Sequence, residues 1–350
     1  MFKVGGVSII ICIIIIVSLF SVIFVILNIF TKTGVEISPE KISEEAPPRP
    51  PKESVSVYKG FWMPCLFMND ICQPMAAVQD LKDVGANIVA FGPTVKINAE
   101  GEINFGLSDE LLEKRLAELA KRYYDAGIRI HLVVETLYVK DFSDNIPAGG
   151  PTAFPADVVS ATDFFEKYNS FVEKMAQLAE KYRVEFFSPM NEPDLKLGEK
   201  VASDWGQEIL PRVKKYYSGK VLYKAALANG AGPNINFAGY DAIGIDISPG
   251  GGPEGPSLTR YSSDVEKTID NVLNWASRDG VSDVLFAEFG VWGGALSLSE
   301  EEKAEVHKII FEKGKGRVKG FIALDPPMDL DRPLKGTKTL EEIKRGFGEI

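Results

Sequence analysis

The chain is poor in the residue types on which metal and nucleophile chemistry usually rest. Of its 350 residues only two are histidine and three are cysteine. His131 lies in a strand-type run and His307 in a helix-type run. Neither belongs to a His-x-His or His-x-x-x-His pair, so no zinc site is indicated, and the two read as one core and one surface histidine. No Gly-x-Ser-x-Gly elbow occurs, which argues against an α/β-hydrolase esterase. No glycine-rich phosphate loop follows the first strand-type run, which disfavours a doubly wound nucleotide-binding sheet. Positive charge is also short: 39 Lys and Arg against 49 Asp and Glu leave a formal charge of −10. Such a field repels phosphate backbones and argues against nucleic acid as a partner, whereas a neutral substrate meets no such barrier.

What is present describes a globular protein with material for one large core, 45% hydrophobic and 25% charged. Residues 7–30 are almost wholly Ile, Val, Leu and Phe, with no charge between Lys3 and Lys32. At about 1.5 Å per residue such a run crosses a hydrocarbon core of about 30 Å, so residues 1–30 are expected to form a transmembrane anchor. The run exceeds the roughly 7–15 residues of a signal-peptide core and no small-x-small site follows it, which favours an uncleaved anchor. A short N-terminus before a large domain suggests that the domain is extracytoplasmic at the cell membrane. Residues 31–57 contain Pro39, Pro47, Pro48, Pro50 and Pro51, five glutamates and no aromatic residue. They read as an extended, disordered tether. Cys12 falls in the apolar run, while Cys65 and Cys72 flank a loop and either bridge or remain two buried thiols. Nothing in the chain encodes an oligomeric state.

Residues 58–350 alternate short β-type runs with amphipathic helical ones, the pattern of a parallel α/β sheet with covering helices. Eight strands are expected near 58–63, 87–91, 129–136, 184–189, 220–225, 242–247, 283–287 and 318–324. Helices read most clearly at 108–126, 161–182, 262–278 and 299–313; the fifth unit, 226–240, is too short and glycine-rich for a full helix. The fold class is therefore a (β/α)8 TIM barrel preceded by one N-terminal transmembrane helix and a Pro-rich linker. Loops leaving strands, 141–157 and 248–261, are long, whereas those entering strands are only a few residues. In barrels the loops after the strands build the active site.

Two glutamates close apolar strands on that face: Glu192, in Ser188-Pro189-Met190-Asn191-Glu192-Pro193, and Glu288, in Leu285-Phe286-Ala287-Glu288-Phe289-Gly290. Three strand-plus-helix units of roughly 30 residues separate them, which puts them on the fourth and seventh strands. Paired carboxyls at one cleft are what glycosidic cleavage requires, one to donate a proton and one to attack or to activate water. Phe186, Phe187 and Met190 surround Glu192 in sequence, and an apolar setting favours the protonated acid.

Asn191-Glu192-Pro193 after a strand, with a second strand-end glutamate three units later, resembles glycoside hydrolase clan A, the 4/7 superfamily of retaining barrels. The resemblance spans roughly residues 58–350. It implies Glu192 as acid/base, Glu288 as nucleophile, Asn191 on the sugar 2-hydroxyl, an endo-β-glycanase-like O-glycoside hydrolase on a β-linked carbohydrate, and no cofactor or metal. Asp246 and Ser248 stand on the sixth strand where many clan members carry a tyrosine or histidine, and the eighth strand lacks their tryptophan. Sugars pack their C–H faces on aromatic rings, which makes Trp62, Tyr138, Trp205 and Trp292 candidate platforms, with Asp246 a further sugar contact. Asp194 and Glu135 are additional cleft candidates that serve equally well as acceptors for neighbouring backbone or cationic groups, and Trp275, in a helix stripe, reads as core. Two other readings are a non-catalytic surface carbohydrate-binding barrel and a metal-dependent barrel enzyme using Glu192, Asp194, Asp246 and Glu288.

Overall fold

The structure, a computed structural model, describes residues 55–63, 77–98, 100–139, 142, 153–159, 163–227, 234–249, 256–324 and 334–350. The expected anchor, nearly all of the tether, and the three cysteines lie outside the described residues. No helix among the described residues is long and apolar enough to cross a membrane.

The strands are β1 (Tyr58–Trp62), β2 (Ile88–Phe91), β3 (Thr94–Ile97), β4 (Ile103–Asn104), β5 (Arg129–Val133), β6 (Glu135–Tyr138), β7 (Phe186–Ser188), β8 (Lys220–Ala225), β9 (Ala242–Ile247), β10 (Asp283–Phe289) and β11 (Gly320–Leu324). Eight of them close a barrel in the order β1-β11-β10-β9-β8-β7-β5-β2, every neighbouring pair parallel. The helices are α1 (Val78–Asp83), α2 (Asp109–Tyr124), α3 (Ala156–Val159), α4 (Phe164–Lys181), α5 (Pro193–Leu197), α6 (Glu199–Lys214), α7 (Leu258–Asp279), α8 (Glu300–Gly314) and α9 (Lys338–Glu349). Between β8 and β9 the described residues form no helix, as the short fifth unit foretold.

Each barrel strand is apolar on both sides because both are covered, and its period of two divides the core into two clusters. Trp62, Ala90, Val133, Phe186, Leu222, Ala242, Leu285 and Ile322 fill the barrel interior. Phe61, Val89, Leu132, Phe187, Val221, Ile243, Phe286 and Phe321 pack outward with the helices. Gly244 shows how tight the interior is: a Cβ there would stand 2.6 Å from the Cβ of Ala287 and 2.7 Å from Leu222 Cδ2. Helix starts follow side-chain capping. Ser108, Ser257 and Ser299 accept backbone N–H groups of α2, α7 and α8, and Ser299 forms a capping box with Glu302.

Three expectations need correction. The third strand stops at Val133 instead of 136, because the Val134 amide donates to the Ser188 carbonyl and the Glu135 amide to the Pro93 carbonyl (3.1 and 3.0 Å). The chain thereby leaves the barrel and enters a small sheet ordered β4-β3-β6, which the sequence reading missed. His307 is not on the surface: it is 2% exposed, donates from Nδ1 to the Lys303 carbonyl at 2.8 Å, and lies 5.5 Å from the Phe289 ring. Finally, ordered packing begins before residue 58, since Val55 and Val57 lean on the core.

Candidate active site

The C-terminal ends of β7, β8, β9 and β10 stand side by side, and their inward-facing side chains are polar: Ser188, Lys224, Asp246 and Glu288. After β7 the chain turns across the barrel rim. The Asn191 amide donates to the Val134 carbonyl (2.8 Å) and the Glu192 amide to the Lys224 carbonyl (3.0 Å), so the turn is stitched to the strands on both sides. Glu192 sits in the left-handed region (φ 51°, ψ 52°) and its carbonyl receives the amides of Leu195 and Lys196, opening α5 with Pro193 at its first turn. A non-glycine residue there costs on the order of 1–2 kcal/mol, a strain that concentrates at functional positions.

Burial pushes the Glu192 carboxyl up to about 7; Lys196 and Lys224 pull it down, and the nearby Glu288 and Glu135 carboxylates push it further up. Burial thus favours the protonated form of Glu192 well above the ordinary carboxylate range.

Glu288 reaches the site through a β-bulge. On β10, Val284 and Phe286 face the helices while Leu285 faces inward, so strict alternation would send Glu288 outward. The register of β10 against β9 shifts between Phe286 and Glu288, and Glu288 pairs with Asp246. The bulge re-aims the side chain, and its Oε2 accepts from Lys224 Nζ at 2.9 Å.

Lys224 is 0% exposed and forms a second ion pair with Asp246, with its ammonium 5.2 Å from the centre of the Trp62 ring. Burial opposes its charge, but Asp246, Glu288 and Glu192 outweigh burial and hold the ammonium well above its ordinary range. Burial drives Asp246 in the opposite sense, toward the protonated form, against the pull of Lys224. A second network lies alongside: Glu135 accepts from Lys196 Nζ and Asn191 Nδ2, each at 2.6 Å. Below both, His131 bonds the Ser188 hydroxyl through Nε2 at 2.8 Å, and burial followed by the Lys224 charge lowers it to about 3, fixing it neutral.

The residues anticipated from sequence fall in different places. Glu192, Glu288, Asn191 and Asp246 come together around Lys224. Asn191 is buried with its amide nitrogen committed to Glu135, and Asp246 faces Lys224 with its side chain 2% exposed, not the open mouth. Trp62 is 2% exposed beneath the ammonium. Trp292, half-buried, follows β10 at the rim, its amide 3.4 Å from the Ser248 hydroxyl. Tyr138 ends β6 in the small sheet, half-buried against the core. Trp205 is a correction: it lies on α6, its indole donates to Asn169 Oδ1 on α4 at 2.8 Å, and its ring packs 5.9 Å from Tyr168, so among the described residues it joins helices in place of the strand-end position expected. Asp194 accepts the amides of Ala226 and Leu227 (3.0 and 2.8 Å), a loop-fixing role. Trp275 packs partly buried against the core, as its helix stripe indicated.

The four acids of the metal reading do not converge, because Asp194 is spent on backbone amides and an ammonium stands between Asp246 and Glu288. Among the described residues no group of His, Cys, Asp or Glu is arranged to hold a metal ion. Sequence reasoning missed Lys224 and Lys196. The signal for Lys224 was its parity: it shares the inward side of β8 with Leu222, and Asp246 shares the inward side of β9.

No family model and no curated protein matches the sequence. Solved structures do resemble the fold. A GH113 β-1,4-mannanase superposes with a TM-score of 0.63 at 18% identity, over 84% of this chain and 100% of that one. A GH113 β-mannanase from Alicyclobacillus acidocaldarius, in complex with ManMIm, gives 0.63 at 17% identity over 85% and 98%. A hyperthermostable endo-1,4-β-D-mannanase from Thermotoga petrophila gives 0.58 at 11% over 84% and 100%. The barrel thus shares its fold with these glycosidases, as the eight-strand reading of the sequence had led one to expect.

Proposed function

We propose that the chain is a retaining β-glycoside hydrolase in which Glu192 is the acid/base and Glu288 the nucleophile. One observation carries this reading: two carboxyls from strands three units apart approach a single buried ammonium, one held near neutrality and the other ion-paired. Glu192, its protonated form favoured by burial, gives its proton to the leaving oxygen while a Glu288 oxygen attacks the anomeric carbon and the glycosidic bond breaks. Glu192, now a carboxylate, then takes a proton from water as that water's oxygen displaces Glu288. No metal or organic cofactor enters these steps. The likeness to mannanases makes a β-1,4-mannan the first substrate to try, with β-glucan and β-galactan beside it, and an endo cut would show as a fast fall in viscosity. Trp292, and Tyr138 on the small sheet, are the aromatic surfaces proposed to meet the sugar.

The test is a slow 2-fluoro β-glycoside followed by peptide mapping: label on Glu288 supports the assignment, and label elsewhere or no label overturns it. A basic limb in kcat/KM near pH 7 is expected from Glu192, since activity is lost as the acid gives up its proton. A second reading has its own support, because a glutamate tied to lysine also suits a barrel that only binds carbohydrate. Glu288→Gln separates the two: turnover lost in the variant favours the enzyme, and equal sugar binding without turnover in either protein favours the binder.

We also propose that residues 1–30 anchor the domain at the extracytoplasmic face of a cell membrane, with residues 31–54 as the tether. Alkaline carbonate extraction of membranes from cells expressing the full chain should leave it in the pellet. Recovery in the supernatant would remove the anchor.

A further inference from the structure

Lys224 touches the proposed nucleophile, and Asp246 touches Lys224 without reaching the open mouth. The ammonium has three N–H groups; Glu288 Oε2 and Asp246 Oδ2 receive two of them, and the Trp62 ring lies 5.2 Å from Nζ. The other Asp246 oxygen, Oδ1, is buried and has no hydrogen-bond partner. A buried acceptor without a donor is costly, and its persistence calls for a reason.

We propose that Lys224 and Asp246 form a charge relay of position for the nucleophile: Lys224 holds Glu288 in place as an anion, and Asp246 takes over the ammonium when Glu288 becomes an ester. The proposal rests on the glycosidase reading above and assigns these two residues positioning roles within it.

In the first step a Glu288 oxygen forms a bond to the anomeric carbon, the bond to the leaving oxygen breaks, and that oxygen receives the Glu192 proton. Glu288 passes from anion to neutral ester, so the ammonium loses the charge at Glu288 and keeps its contact with Asp246. Asp246 remains, and its unpartnered Oδ1 can accept the N–H that Glu288 gives up. When water displaces the ester, Glu288 regains its charge and its hold on Nζ. Asp246 thus limits how strongly the ammonium favours the free carboxylate over the ester. Among the described residues, the charged or titratable groups that face Glu288 are Lys224 on β8, Asp246 on β9 and Glu192 after β7; β11 bears none.

The two residues therefore act in opposite senses on the second step. With Asp246→Asn, the ammonium serves Glu288 alone: attack on substrate slows, and departure of Glu288 from the ester speeds up. With the double change Lys224→Met and Asp246→Asn, which removes the ammonium together with its deeper partner and leaves Glu288 without its cation, departure slows.

The experiment is to trap wild type and both variants with the 2-fluoro glycoside and follow reactivation, with thermal unfolding confirming that each is folded. Reactivation is expected to be roughly tenfold faster than wild type in Asp246→Asn and roughly tenfold slower in the double variant, a change in barrier of about 1.4 kcal/mol each way. Attack on substrate, read as kcat/KM, should fall in Asp246→Asn while reactivation rises. Residues that only support the fold would move both rates downward in both variants, and that outcome overturns the proposal while leaving the glycosidase intact. Failure of wild type itself to be labelled overturns the glycosidase reading, and the relay with it.

Discussion

Glu192 combines two unfavourable features, a left-handed backbone and a carboxyl forced toward its protonated form. Its folded-state affinity for a proton lies above the unfolded value, so it costs nothing below about pH 4 and the full amount above pH 7, with stability lost as pH rises between them. Glu192→Gln is therefore expected to be more stable than wild type at pH 8, by on the order of 3 kcal/mol, and to unfold at the same denaturant as wild type at pH 4. Urea melts at the two pH values check this, and an equal shift at both would reassign the gain to packing. Lys196 is the opposite case. It is 3% exposed and neutralises Glu135, so Lys196→Met should destabilise by about 3–5 kcal/mol by stranding a buried charge, measured in the same melts.

At the level of elements, the interior of the barrel leaves no room at Gly244. Gly244→Val should cost about 1–3 kcal/mol through overpacking against Ala287 and Leu222, read from the midpoint of urea unfolding. The strands themselves were well marked in the sequence: runs 220–225 and 242–247 coincide with β8 and β9, because strands buried on both sides are apolar throughout and sharply bounded by polar turns. Glu192 and Glu288 stood out for the same reason, as acids that end such runs. The bulge that aims Glu288 inward was not legible, since it depends on how β10 registers against β9. Lys224 was overlooked because a lone lysine in Val-Leu-Tyr-Lys-Ala looks like a solvated position until the barrel closes around it. Trp205 misled for a related cause: the chain turns directly from the rim into α5 and α6, carrying the indole to the helix layer.

For the molecule as a whole, the charge of −10 sets which glycans would be met most easily on the function proposed above. A neutral β-glycan should be processed at the same kcat/KM between about 10 mM and 150 mM salt, whereas a polyanionic one should improve as screening shortens the Debye length from about 30 to 8 Å. Steady-state rates across that range test it; a salt dependence with neutral substrate would point to a charged group in the binding cleft.

The two acids are separated by two intervening strands, β8 and β9, in a ring that has no free edge. Their spacing is consequently inherited from main-chain pairing, that of the β10 strand and that of the turn after β7 whose amides bond Val134 and Lys224. On the function proposed above, an engineer seeking a new sugar preference would replace the segments after the other strands and keep Glu192 and Glu288 in register.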